Sequence, residues 1–144
     1  MTFRIEAAKD VTPELELALA VLLPQLNPKI PAPAADRLRA LIADASVTLL
    51  IARDESAIVG TATVIVYKTP AWIKALVEDV VVDERARGRG AGEALMRACL
   101  DVARERGAQI VELQSASFRE AANRLYPRLG FERRDTNFYR MTLD

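Results

Sequence analysis

Histidine is absent from this chain of 144 residues, and cysteine occurs once, at position 99. Without histidine the chain cannot build a Ser-His-Asp triad, a Cys-His dyad or the usual zinc sites, and one cysteine cannot form an internal disulfide. No metal site is therefore expected. Any catalysis must use carboxylates, tyrosine, backbone amides or a borrowed co-substrate.

An excess of charge is also lacking, because 20 Lys and Arg balance 20 Asp and Glu. Zero net charge gives nucleic acid and anionic membranes no general attraction to this chain. No run of about 18 uncharged apolar residues exists, and residues 1–6 lack the basic-then-apolar order of a signal peptide. The sequence thus predicts a cytoplasmic location, with no membrane or nucleic-acid partner.

The composition is that of a globular chain, with 51% apolar and 28% charged residues. A chain of this length can bury a substantial core. We therefore expect one domain over residues 1–144.

The hydrophobic spacing predicts a mixed α/β fold. Strands are expected at residues 3–7, 47–53, 58–68, 75–83, 109–115 and 137–143, and helices at 13–23, 34–45, 90–106 and 120–129. The strands between 47 and 83 should form an antiparallel meander, with residues 54–57 as its first loop. Cys99 falls on the apolar face of the third helix, which favours a core residue over a nucleophile.

A turn rich in glycine and arginine separates a strand of valines from the third helix. Its residues are Arg85, Ala86, Arg87, Gly88, Arg89, Gly90, Ala91 and Gly92. Glycine allows backbone conformations that other residues avoid, and the first amides of a helix are unpaired donors next to a positive dipole end. With three arginines nearby, this turn predicts a diphosphate-binding site.

Two other glycine-loop interpretations fail on spacing. A Walker A loop needs Lys and then Ser or Thr after its last glycine, but Gly92 is followed by Glu93. A dinucleotide fingerprint starting at Gly88 would also need glycine at position 93. The remaining alternative is a tight strand-to-helix turn whose arginines only keep the surface solvated.

At these residues the sequence resembles the GNAT family of N-acetyltransferases. Arg85, Gly88 and Gly90 match the acetyl-CoA loop of that family, and a second segment matches at Ala122, Leu125, Tyr126, Gly130 and Phe131. The resemblance implies a central twisted mixed sheet of about six or seven strands, largely antiparallel, flanked by about four helices. It also implies acetyl-CoA as the acyl donor and no metal.

The resemblance assigns binding roles by position. The backbone of Val80, Val81 and Val82 would hold the pantetheine arm and polarise the thioester carbonyl, and the amides of residues 87–92 would hold the pyrophosphate. The family often has Asn where this chain has Arg119, so Arg119 would instead meet a phosphate. Asn123 is a further candidate contact, with a surface role as its alternative.

The resemblance also assigns catalytic roles. Tyr126 is the candidate acid for the departing thiolate, and its alternative role is a packed aromatic ring. Glu78 is the candidate base, directly or through water, with Asp79 as its competitor; either could instead be a solvated or ion-paired strand residue. Ideal alternation places Glu78 on one face with Val80 and Val82, but the resemblance implies a bulge in this strand, which would break the alternation.

The implied function is transfer of an acetyl group to a primary amine by direct attack in a ternary complex. A small amine or amino sugar is the expected acceptor, and a protein N-terminus or lysine is the variant. A sensor that binds acyl-CoA without catalysis is the alternative from another class. A homodimer is compatible with the family resemblance and with the apolar first helix.

Overall fold

The computed structural model describes residues 3–144 of the chain. These residues form two compact units, one ending at Gln114 and the other running from Ser115 to Asp144. The first unit contains the sheet and three of the helices, and the second contains one short helix and the C-terminal tail.

The first unit is built on a five-stranded mixed sheet whose spatial order follows the chain order. Its strands are β1 (Arg4–Ala7), β2 (Val47–Asp54), β3 (Ala57–Lys68), β4 (Ile73–Val82) and β5 (Ile110–Leu113). Strands β1 to β4 pair antiparallel, whereas β5 pairs parallel with β4. The predicted antiparallel meander is therefore confirmed.

Four helices accompany these strands, as expected: α1 (Pro13–Leu26), α2 (Ala35–Ala43), α3 (Ala91–Glu105) and α4 (Glu120–Arg128). Helix α1 begins where its signals predicted, because the Thr12 hydroxyl accepts a 3.1 Å hydrogen bond from the Leu15 amide. It continues past Pro24 to Leu26, three residues beyond the prediction. Proline removes one hydrogen bond without ending the helix here.

Helices cover both faces of the sheet. Leu15 and Leu19 of α1 and Leu38 of α2 pack with Leu49 and Ile51 of β2. On the other face α3 lies so close that a Cβ on Gly60 would be 3.0 Å from Leu95 Cδ1. This close packing buries the inner side of α3 in the core, including Leu95, Met96 and Cys99.

Within residues 3–144 the sheet has five strands, slightly fewer than the expected six or seven. The predicted strand at residues 137–143 is wrong, since no part of that segment pairs with a strand in the described chain. Alternation makes a segment suitable for a sheet, but a strand forms only where a partner supplies hydrogen bonds. The loop between β2 and β3 is also shorter than predicted, two residues with Glu55 at φ 56°.

Candidate active site

A β-bulge interrupts β4 at Asp79 and Val80. Glu78 pairs with Thr63 and Val81 pairs with Thr61, so Asp79 and Val80 together lie opposite the single residue Ala62. Asp79 takes a left-handed backbone conformation with φ 52°, which aspartate tolerates better than most residues. The bulge therefore changes the direction of the strand just before the glycine turn.

The bulge also changes which side chains share a face. Glu78 pairs with Thr63, which in turn pairs with Leu49, so the half-buried Glu78 lies on the face covered by α1 and α2. Beyond the bulge, Val82 pairs with Gly60 on the α3 face. The bulge that the resemblance implied is therefore present, and its extra residue reverses the alternation, so Glu78 and Val82 lie on opposite faces.

A short 3-10 turn, Glu84–Ala86, follows β4 and is capped by Asp83. Asp83 is 4% exposed, and its carboxylate accepts from the backbone amide of Arg85 (3.1 Å) and from the Arg85 guanidinium (2.9 Å, Nη2 to Oδ2). The hydrogen bonds from Arg85 hold the pKa of the Asp83 carboxyl below its usual range. Asp83 thus stabilises the backbone where the glycine turn begins, a role that the sequence analysis did not assign.

Gly88 and Gly90 both adopt left-handed conformations, with φ 76° and 93°. A Cβ built on either would have no heavy atom within 4 Å, so the turn is open on the side where a ligand could approach. Gly90 is the N-cap of α3 and has no side chain to accept hydrogen bonds from the first turn. Backbone donors and open space therefore coincide, which fits the linked phosphates of a nucleotide co-substrate.

Gly92 differs from the other two glycines. It lies inside the first turn of α3, directly after the buried Ala91. Its place in a regular helix agrees with the helix predicted over residues 90–106, and it needs no conformation that other residues avoid.

The three arginines of the turn all contact protein groups. Arg85 binds Asp83, Arg87 Nε donates to the Val82 carbonyl oxygen (3.0 Å), and Arg89 forms a 3.0 Å ion pair with Asp54. Arg89 also lies over the Phe3 ring, 5.6 Å from its centroid. The guanidinium groups therefore fix the frame of the turn while adding positive charge around it.

Gln25, near the end of α1, is a site residue that the sequence analysis missed. Its Oε1 accepts from the Glu84 amide at 2.9 Å and from Arg87 Nη2 at 3.5 Å. The contact links residues 59 and 62 positions apart, so no local pattern could have revealed it. It ties α1 to the turn that carries the predicted phosphate site.

In the second unit, Tyr126 lies at the end of α4 in a Schellman motif. The Phe131 amide donates to the Tyr126 carbonyl oxygen and the Gly130 amide to that of Pro127, both at 3.1 Å, while Gly130 has φ 102°. The Phe131 ring packs edge-on against the Tyr126 ring, with centroids 5.9 Å apart. The Gly-Phe pair thereby holds the backbone and ring of Tyr126 in one orientation.

The other two predicted residues of α4 also have local partners. Arg119 is the N-cap of the helix and lies over the Phe118 ring, 5.3 Å from its centroid. Asn123 Nδ2 donates to the Ala116 carbonyl oxygen at 2.9 Å, which holds the loop before α4. Pro127 lies inside the last turn of the helix, which ends one residue later, at Arg128.

Cys99 is fully buried in α3, and burial raises the pKa of its thiol to about 12. The side chain therefore belongs to the core, as expected. Within residues 3–144, no group of three or more His, Cys, Asp or Glu side chains is placed to hold a metal ion. No helix in this part of the chain is long and apolar enough to cross a membrane.

Known proteins are similar to this chain in sequence and in fold. Residues 16–131 match the profile of the Acetyltransferase (GNAT) family. An uncharacterized N-acetyltransferase of Methanocaldococcus jannaschii is 39% identical over 59 residues, and the streptothricin acetyltransferase of Streptomyces lavendulae is 42% identical over 62 residues. These matches cover 41% and 42% of this chain, and only 26% and 33% of those two proteins.

A solved structure extends the similarity to nearly the whole chain. The putative acetyltransferase from Agrobacterium tumefaciens is 26% identical, with a TM-score of 0.84 over 96% of this chain and 99% of that one. The family profile spans more than half of the sequence, including β4, the glycine turn and α4. The chain belongs to the Acetyltransferase (GNAT) family.

Proposed function

We propose that this chain is an acetyl-CoA-dependent N-acetyltransferase that acts on a primary amine of a small molecule. The observation that carries the proposal is the open turn at Gly88 and Gly90, which follows the bulged strand β4 and leads into the N-terminus of α3. A turn of this kind offers hydrogen-bond donors and positive potential to a diphosphate.

The chain would bind the two ends of the co-substrate with different elements. The amides of residues 87–92 would hold the pyrophosphate, with Arg85, Arg87 and Arg89 around it. The backbone of Val80, Val81 and Val82, just after the bulge, would hold the pantetheine arm. Acetyl-CoA supplies an acetyl group activated as a thioester.

In the proposed reaction the amine nitrogen bonds to the acetyl carbon and the carbon–sulfur bond breaks. Glu78, directly or through water, takes the proton that the amine loses, and Asp79 is the alternative base. The Tyr126 hydroxyl donates a proton to the departing thiolate and recovers it from solvent. The products are the N-acetylated amine and free coenzyme A. The half-buried position of Glu78 and the fixed orientation of Tyr126 support these roles.

Arg119 and Asn123 are proposed as secondary contacts to the co-substrate. The positive charge of Arg119 at the start of α4 suits a phosphate. Asn123 would contact the co-substrate from the same helix, where its Nδ2 also donates to the Ala116 carbonyl oxygen.

A small amine or amino sugar is the proposed acceptor. The streptothricin acetyltransferase among the relatives supports a small-molecule acceptor, although the match spans a third of that protein. A protein N-terminus or lysine is the variant acceptor. The single domain over residues 1–144 and the cytoplasmic location stay predictions.

Calorimetric titration with acetyl-CoA, followed by a screen of amines for release of free coenzyme A, tests the proposal. We expect saturable binding and turnover with small primary amines. Absence of binding would refute the site itself. Binding without turnover on small amines, protein N-termini and lysine peptides would support the alternative, an acyl-CoA sensor.

A further inference from the structure

Arg89 lies between Gly88 and Gly90, the two glycines of the turn that have positive φ. Glycine on both sides leaves the backbone many conformations, so the local sequence does not fix the shape of this turn. Asp54 and Phe3 both contact the Arg89 side chain. Its Nη2 forms a 3.0 Å ion pair with Asp54 Oδ2, and its guanidinium carbon lies 5.6 Å from the centroid of the Phe3 ring. These contacts all fall within the first unit.

Asp54 is the last residue of β2, and the hairpin end to which it belongs is itself held by ion pairs. The neighbouring Arg53 donates from Nη1 to the Ser56 carbonyl oxygen at 2.8 Å, across the two-residue turn. Arg53 also binds the carboxylates of Glu6 in β1 and Glu14 in α1, and its side chain is 15% exposed. The backbone that carries Asp54 is therefore held in place, and so is the carboxylate that binds Arg89.

The carboxylate of Asp54 has two opposite effects on binding of a phosphate at the turn. Its negative charge offsets that of Arg89, which weakens the attraction for phosphate. Its ion pair with Arg89 orders the turn in advance, so that less conformational entropy is lost on binding. Fixing the backbone of a single residue costs more free energy than one solvent-exposed charge pair contributes, so the ordering effect should dominate.

We propose that Asp54 is a positioning residue for the co-substrate: by holding Arg89, it keeps the glycine turn in the shape that binds the diphosphate. The proposal rests on the proposed function. It concerns binding of acetyl-CoA and not the chemical step, because Asp54 acts through Arg89.

Calorimetry with acetyl-CoA and steady-state kinetics test this role. Asp54→Asn should raise the Kd about five- to tenfold, because the turn is no longer ordered in advance. The KM for acetyl-CoA should rise in parallel, while kcat changes by less than about twofold. Asp54→Glu keeps the charge and should recover most of the affinity. An unchanged or lower Kd for Asp54→Asn overturns the proposal, since it would mean that only the charge matters.

Glu55→Gln is the matched control. It removes an exposed carboxylate from the next position of the same hairpin and should leave the Kd unchanged. If Glu55→Gln and Asp54→Asn change the Kd equally, the effect comes from the charge of the hairpin and the proposal fails.

A double-mutant cycle shows whether Asp54 acts through Arg89. Arg89→Gln alone should weaken binding, and adding Asp54→Asn to it should bring no further loss. Phe3→Leu keeps an apolar side chain but removes the ring beside the guanidinium, so it should raise the Kd roughly two- to threefold, and only where Arg89 is present. This variant tests the same route if circular dichroism shows that Asp54→Asn does not fold. Losses that add fully to that of Arg89→Gln overturn the proposal.

The native chain separates this proposal from the proposed function. If the native chain shows no saturable binding of acetyl-CoA, the proposed function and the role of Asp54 are both refuted. If the native chain binds and Asp54→Asn binds equally well, only the role of Asp54 is refuted.

Discussion

Tyr126 ends α4 with its carbonyl oxygen bound by the Phe131 amide and its ring against the Phe131 ring. The proposed acid role predicts that Tyr126→Phe lowers kcat about a hundredfold or more while binding of acetyl-CoA changes little, because the hydroxyl acts mainly as charge develops on sulfur. Steady-state kinetics and calorimetry separate the two effects. Tyr139→Phe, which removes an exposed hydroxyl, is the control; equal kcat for Tyr126→Phe and the native chain would leave Tyr126 with a packing role only.

The bulge in β4 lets the two candidate bases be compared with little risk to the fold. Asp79→Asn keeps a residue that accepts the left-handed conformation, and Glu78→Gln keeps the shape of a half-buried side chain. We expect Glu78→Gln to lower kcat/KM for the amine about a hundredfold, because its side chain can no longer take the proton from the amine. Asp79→Asn should retain most of the kcat/KM. The opposite result assigns the base to Asp79.

At the scale of elements, a glycine beyond the far end of α3 serves as a matched control for the glycine at its start. Gly90 and Gly107 both have positive φ and open space around a Cβ, and they flank the two ends of α3. Replacing either with Ala should cost about 1–2 kcal/mol of stability through backbone strain. Only Gly90→Ala should also weaken acetyl-CoA binding, by roughly tenfold in calorimetry, because Gly90 lies in the proposed phosphate-binding turn and Gly107 does not. Equal affinity of the two variants would remove Gly90 from that site.

Helix α1 supports the same turn through Gln25, whose Oε1 accepts from the Glu84 amide and from Arg87. Gln25→Met keeps the length of the side chain but offers no acceptor, so we expect the KM for acetyl-CoA to rise several-fold to about tenfold. The expected change in kcat is smaller, because Gln25 positions the turn without touching the reacting atoms. Lys29→Met, just beyond α1, serves as the control. A KM unchanged by Gln25→Met would show that the turn holds its shape without α1.

At the scale of the whole molecule, acid should weaken the fold partly through Asp83. Arg85 lowers the pKa of the folded Asp83 carboxyl, so its stabilising contribution is fully present above the ordinary value of 3.8 and is lost as the pH falls through the lower folded value. Asp83→Asn should therefore lower the free energy of unfolding by about 1 kcal/mol at neutral pH and progressively less below pH 4. Urea unfolding between pH 7 and 3 measures this difference, with Asp135→Asn as the control. A difference that does not shrink in acid contradicts the role of the Asp83 charge.

The local signals of the sequence located most elements correctly. Thr12 and Pro13 marked the start of α1, Gly107 marked the end of α3, and the glycines at 88 and 90 marked a turn with positive φ. Each of these signals acts over a few residues through backbone geometry and hydrogen bonding, so the order of residues is enough to read it. The fold class and the family followed from the same short segments.

Contacts between residues far apart in the sequence determined the features that local signals could not predict. The bulge at Asp79 depends on the register of β4 against β3, and the support of the turn depends on Gln25 lying within 2.9 Å of a residue 59 positions away. The tail from 137 to 143 alternates like a strand, yet none of its residues is in a strand in the described part of the chain. A side chain's face and a strand's partner are properties of two segments brought together, and only the folded chain specifies which segments meet.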